Sequence, residues 1–213
     1  MRSLVALSIA LTTSACATEL ADGPPPPPES MRERLESATR LLVTADESGG
    51  TLTAERKIAG TDRWEGGLVD LGIANGELVV SAASDKELTL EAFQITFDPL
   101  VLPAGLVGAQ HAQLEDVRID LTATQTVPAT WTSEDEVLLA ANLDLTLSWK
   151  LALDGAPAPL GSPRLPKVPV AIVLTGDGAH VQAEIRAQSP GELWAWAGLV
   201  KLRDLALVMG AKL

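Results

Sequence analysis

The chain is poor in the residues on which most protein chemistry depends. Its 213 residues include one cysteine, two histidines, two phenylalanines and no tyrosine. A lone cysteine excludes an internal disulfide. His111 and His180 have no second histidine or cysteine at metal-ligand spacing, so no metal site is expected. His111 and Glu115 stand four apart and could share a helical face, but a lone pair reads as surface, as does His180 beside Glu184. There is no G-x-S-x-G elbow, no phosphate-binding glycine loop, no dinucleotide fingerprint and no calcium loop. Gly161-Ser162-Pro163 has no base close by in sequence. No catalytic residue and no cofactor is therefore assigned, and the expectation is a protein that is not an enzyme.

Positive charge is scarce as well. Sixteen lysines and arginines face 28 acidic residues, a formal net charge of −12. Such a surface excludes nucleic acid as a partner and argues against electrostatic docking on anionic lipid. Long apolar runs are missing too. Leu4–Leu11 is far shorter than the roughly 20 residues that a membrane-crossing helix needs. The apolar C-terminal stretch is broken by Lys201, Arg203 and Asp204.

What is present begins with an address. Arg2 supplies a positive start, Leu4–Leu11 a short apolar region, and Thr12-Thr13-Ser14-Ala15 a run of small residues, the pattern of a signal peptide over residues 1–15. Its removal takes away one basic residue and makes the balance still more acidic.

Ser14-Ala15-Cys16 resembles the lipobox of bacterial lipoproteins, with Thr13 where that family most often has leucine. The resemblance implies cleavage before Cys16 by signal peptidase II and attachment of a lipid to the thiol. It also implies a bacterial envelope location, with the membrane as a partner through that lipid. Ala17 is not the aspartate that marks inner-membrane retention in enteric bacteria, which leans towards the outer membrane. Residues 16–29 then read as the lipidated cysteine and a tether. Five consecutive prolines stiffen this stretch into an extended helix of about 3.1 Å per residue.

Residues 30–213 are enough for a single globular domain. Ser30 and Glu33 form a capping box, and Met31, Leu35, Ala38 and Leu42 share a helical face, so a brace helix is expected to end near Val43. Beyond Gly50 the apolar period shortens to two. From Val137 to Leu153 every odd position is apolar, while Asn142, Asp144, Thr146, Ser148 and Lys150 lie opposite. A segment so long must bend at a bulge or belong to a long sheet.

Asp116–Thr124 alternates in the same way. Leu68–Ala82 contains Asn75-Gly76, a favoured hairpin pair, and Val168–Ala187 reads as a hairpin around Gly176-Asp177-Gly178. Leu88–Phe97 changes phase after Leu90, which predicts a bulge. Ser189-Pro190-Gly191-Glu192 reads as the cap of a short C-terminal helix.

The expected fold is mainly β, with seven to nine antiparallel strands. The architecture is a β-sandwich or a curved half-barrel or barrel, with an N-terminal brace helix and a short C-terminal helix. Pro99–Leu114 carries no charged residue, and its Leu100, Leu102, Leu106 and Val107 either plug the sheet or line a groove. Trp194 and Trp196 offer the same choice. Two functions stay open at this point. One is a non-catalytic interaction or structural lipoprotein that contacts an envelope protein partner. The other is a carrier of an apolar, lipid-like ligand held on the inner face of a curved sheet.

The anchor is directly testable. Cys16→Ser should abolish lipid attachment, because a hydroxyl cannot form the thioether. The variant should leave the detergent phase of a temperature-induced phase separation, in which the unaltered protein remains.

Overall fold

The computed structural model describes residues 29–107, 109–154, 156–157, 164–177, 180–195 and 198–212. One helical turn, α1 (Met31–Arg34), precedes β1 (Thr39–Lys57), β2 (Trp64–Ser84), β3 (Glu87–Phe97) and β4 (Leu100–Leu102). Then come β5 (Ala112–Leu121), β6 (Gln125–Ser133), β7 (Glu136–Leu153) and β8 (Ala156–Pro157). The chain closes with β9 (Arg164–Asp177), β10 (His180–Ala187), β11 (Gly191–Ala195) and β12 (Gly198–Lys212).

All pairings are antiparallel. The sheet runs β2-β1-β12-β10-β9-β7-β6-β3, and β3 pairs back onto β2, which closes a ring of eight strand positions. β5 and β6 share one of those positions. Between β3 and β7, β5 fills one half (Ile95↔Ile119↔Leu147) and β6 the other (Leu88↔Val127, Ala129↔Leu139). Of the architectures that the alternation permits, the barrel is the one formed. Closure removes the sheet edges that an open antiparallel sheet would expose.

The alternation decides what lies inside. Val137, Leu139, Leu143 and Leu145 of β7 are buried, as are Val181, Ala183 and Ile185 of β10, and the alternate residues, such as Asn142, Gln182 and Glu184, face out. Among the described residues no polar or charged residue is buried. The outer faces carry side chains such as Arg118, Asp120, Lys150 and Glu184. This polarity is the reverse of a membrane-spanning barrel, whose apolar band faces outward. No helix of the described residues is long and apolar enough to cross a membrane.

One end of the barrel is shut by the segment that leads into it. Ser30 and Glu33 form the expected capping box: the Ser30 N–H donates to Glu33 Oε2 at 2.9 Å, and Ser30 Oγ accepts the Glu33 N–H at 3.3 Å. Met31 and Leu35 then drop into the core. The Met31 N–H donates to Asp135 Oδ1 (2.9 Å), the Arg32 N–H to the Glu134 carbonyl (3.0 Å) and the Ala82 N–H to the Leu35 carbonyl (2.6 Å). Gly176 makes room for the cap, since a Cβ there would stand 3.0 Å from Met31 Cβ.

The brace helix is thus a single turn. Thr39–Val43, expected as its continuation, belongs to β1, because closure requires a strand that bonds to both β2 and β12. The polar stretch at Asp46–Gly50 does not end an element. The pairing of β1 shifts there, between Val43 and Gly49 against β2 and between Thr44 and Gly49 against β12, and Ser48 Oγ donates to the Thr44 carbonyl (2.6 Å) and accepts the Gly210 N–H (3.1 Å).

Asn75-Gly76 is not a turn either. β2 runs through it to a two-residue turn at Asp85-Lys86. Gly76 serves close packing, since a Cβ there would lie 3.0 Å from both the Gln94 carbonyl oxygen and Val43 Cγ2. The C-terminal helix is replaced by the β11–β12 hairpin, in which Glu192 sits opposite Lys201 and pairs with it at 3.3 Å.

Other expectations hold. Val79 pairs with Ala92 and Val80 with Leu90, so Glu91 is the extra residue of a bulge, and Leu88, Leu90, Phe93, Ile95 and Phe97 are all buried. β9 and β10 form the expected hairpin, with Asp177 opposite His180. The long β7 meets irregular neighbours at Asp144, which ties them together. Its carbonyl accepts the Thr122 N–H (2.9 Å), its Oδ1 accepts the Lys167 N–H (2.8 Å), and its own N–H donates to Gln125 Oε1 (3.2 Å).

Because Leu35 is buried in the plug, Leu35→Ala should cost about 2–5 kcal/mol in urea unfolding. Loss of less than about 0.5 kcal/mol, the usual surface value, would mean that the cap does not close the core.

Candidate ligand-binding cavity

The barrel is packed at the capped end and hollow towards the other. The hollow is a cavity of about 420 Å³, within the roughly 300–1,000 Å³ range of ordinary ligand pockets. Its wall is built from inward positions of nearly every barrel strand: Leu52 and Ala54 of β1, Val69 and Leu71 of β2, Phe93 and Phe97 of β3, and Leu143 to Leu151 at odd positions of β7. β5, β9, β10 and β12 complete it. Every lining side chain is apolar.

Burial falls along β7 towards the pole opposite α1, while Ala54 and Val200 stay closed on the other side of the wall. Lining residues nearer the cap are closed off, Leu143 at 1% and Leu207 at 2% exposure. Towards the opposite end Leu52, Leu102, Leu114, Leu147, Trp149, Leu151 and Leu202 are only half-buried. The cavity is therefore a cup, with its floor under α1 and its mouth at the far pole.

Bulges shape that half. Asp116 in β5, Lys167 in β9 and Asp204 in β12 all have positive φ (50°, 53° and 51°), the left-handed conformation that aspartate tolerates better than most residues. A bulge bends its strand and raises the local twist.

The uncharged Pro99–Leu114 segment is part of the wall. β4 pairs with the start of β5 (Leu100↔Leu114, Leu102↔Ala112), and the chain turns back between them. Leu100, Leu106 and Val107 are buried, Leu102 is half-buried, and all four line the cavity, whereas Val101 points outward at 72% exposure. The structure thus brings together four of the residues singled out in the sequence. Trp194 pairs with Leu199 in β11, and Trp196 lies outside the described residues, as does Cys16.

Most of the wall was not legible as a site. Leu147, Trp149 and Leu151 follow the inward alternation of β7 like any core residue. Nothing in the order of residues says that they face space and not packed neighbours.

The chemistry of the cup is limited by its lining, which has no ionisable, nucleophilic or metal-ligating group. Among the described residues no three of histidine, cysteine, aspartate and glutamate are grouped to hold a metal. His111 and Glu115 do not share a helical face, since Glu115 lies in β5. His111 is instead held through its backbone, its N–H donating to Asp154 Oδ1 at 3.1 Å and its carbonyl accepting the Asp154 N–H at 2.8 Å.

The perturbed titrating groups belong to surface ion pairs. Lys150, Arg40 and Arg118 donate hydrogen bonds to the carboxylates of Asp116, Glu77 and Asp120, which hold these cations above their ordinary pKa values, with charge attraction assisting. All three are already charged at neutral pH, so the shifts create no switch there.

No family model and no curated protein matches the chain. Among solved structures it is similar to Ail, the attachment invasion locus protein of Yersinia pestis. That likeness has 8% identity and a TM-score of 0.41, and covers 80% of this chain and 97% of the other. A second structure of Ail, in complex with the heparin analogue sucrose octasulfate, gives 9% identity, a TM-score of 0.34, and coverage of 82% and 99%. Likenesses this weak carry no argument about what this chain does.

If Leu106 faces a hollow, truncating it should cost less than truncating a packed residue. Leu139→Ala should fall near the upper end of the usual range of about 2–5 kcal/mol and Leu106→Ala at or below its lower end, measured by denaturant unfolding. Equal losses would mean that the cup is packed at that level.

Proposed function

We propose that the protein binds an apolar, lipid-like ligand in the barrel and is held in the bacterial envelope by a lipid on Cys16. One observation carries the binding reading: a cavity of about 420 Å³ with an entirely apolar wall inside the barrel. A scaffold or interaction module gains nothing from such a hollow, because unfilled apolar volume forfeits packing contacts and stability. An apolar ligand recovers that loss at roughly 25 cal/mol for each Å² it removes from water.

The interaction module expected alongside the carrier therefore gives way to it as the better-supported function. The lipobox-like Ser14-Ala15-Cys16 and the proline tether support the anchored location, and the leaning towards the outer membrane rests on Ala17. The acidic outer surface fits a soluble body kept clear of anionic headgroups.

The binding reading is tested with a neutral dye, so that charge does not enter. Nile red should bind the unaltered protein saturably, at one site. Leu147→Trp places a larger side chain in the half-buried part of the wall and should abolish that binding. Because it fills space, the same change should leave the melting temperature unchanged or raised. A dye that fails to bind, or that binds the variant as well as the parent, removes the carrier reading.

A further inference from the structure

Arg56 stands one inward position beyond the apolar lining of the cup on β1, with Glu65 of β2 beside it. On β1 the inward positions run Leu52, Ala54, Arg56, and the first two line the cavity. Arg56 is one step nearer the mouth. Across the barrel wall it is paired with Val200 of β12, another lining residue, and with Glu65 of β2.

Apart from Glu65, the neighbouring charges are already matched on the outer face: Glu55 with Arg203 (3.2 Å), Lys57 with Asp62 (3.4 Å) and Lys201 with Glu192 (3.3 Å). Arg56 is not. Its Nε is buried without a hydrogen-bond partner, and among the described residues its guanidinium forms no ion pair, not even with the exposed Glu65 opposite. A guanidinium stays protonated at any physiological pH, and a buried donor without an acceptor costs stability. Its fork geometry matches a carboxylate or phosphate.

We propose that Arg56 is the headgroup contact of the cup, and that the ligand is a single-chain amphiphile with an anionic end. Its hydrocarbon lies along the apolar wall, and its carboxylate or phosphate meets the guanidinium at the rim. This rests on the carrier reading and adds to it the chemical class of the ligand. The apolar wall accounts for the chain and cannot read the head. Arg56 supplies the polar contact that fixes which end of the ligand faces the mouth.

Calorimetric titration with dodecanoate and with dodecanol separates the two layers. The unaltered protein should bind dodecanoate about tenfold or more tightly than dodecanol, the difference that one charge-assisted contact makes. Arg56→Gln and Arg56→Met should lose that preference while holding dodecanol as well as the parent does. Without ligand, neither variant should melt below the parent, since each removes a buried donor that lacks a partner. Equal weakening towards both ligands, or an unchanged preference for dodecanoate, overturns the assignment of Arg56 and leaves the carrier reading standing. Failure of the unaltered protein to bind either ligand overturns both.

Discussion

The pairing of β1 with β12 is the interaction on which the rest of the molecule depends. It joins the first strand to the last, from Leu42↔Lys212 to Arg56↔Val200, and turns a meander into a ring. Without it both strands would be edges, and the inner faces of all the others would need some other cover. With it, one apolar surface encloses itself, and no second sheet or long helix is needed. The closure is demanding because its partners are separated by most of the chain. β1 meets that demand despite a polar, glycine-containing stretch, by bulging at Asp46–Ser48 and stitching the bulge with the Ser48 hydroxyl.

The same dependence explains which parts of the structure could be read from residue order. Alternation is local, and it made β7, β5 and β10 legible together with their buried faces. The bulge at Glu91 was visible because the apolar phase changes within four residues. The failures came where a distant partner overruled a local signal. Thr39–Val43 carries a helical stripe, yet pairs with β2 and β12. Asn75-Gly76 has the chemistry of a tight turn, but lies in mid-strand where Val43 and Gln94 press close. Ser189-Pro190-Gly191-Glu192 looks like a helix start, but Glu192 finds its cation across a hairpin.

The site was half legible for a related reason. Leu100, Leu102, Leu106 and Val107 stood out because a segment without charge is conspicuous in an acidic chain. Leu147, Trp149 and Leu151 did not, because a wall facing a hollow and a wall facing packed neighbours obey the same alternation. Arg56 was hidden more deeply, since the first part of its strand was read as helix. Once β1 is known to be a strand, Leu52-Ala54-Arg56 is a simple inward series whose last member carries charge.

The cap has a consequence for how the molecule is oriented. Ser30 and Lys212 both lie at the capped pole, so the described chain begins and finishes there, away from the mouth. In the proposed reading the barrel has one pole for attachment and another for exchange, with the length of its strands between them. Anything joined ahead of Ser30 tugs on α1 and its bonds to Glu134 and Asp135, and leaves the rim untouched. A cup anchored by its base, as proposed, can turn its opening towards whatever donates or receives the proposed ligand, and its rim can vary without loosening its seat.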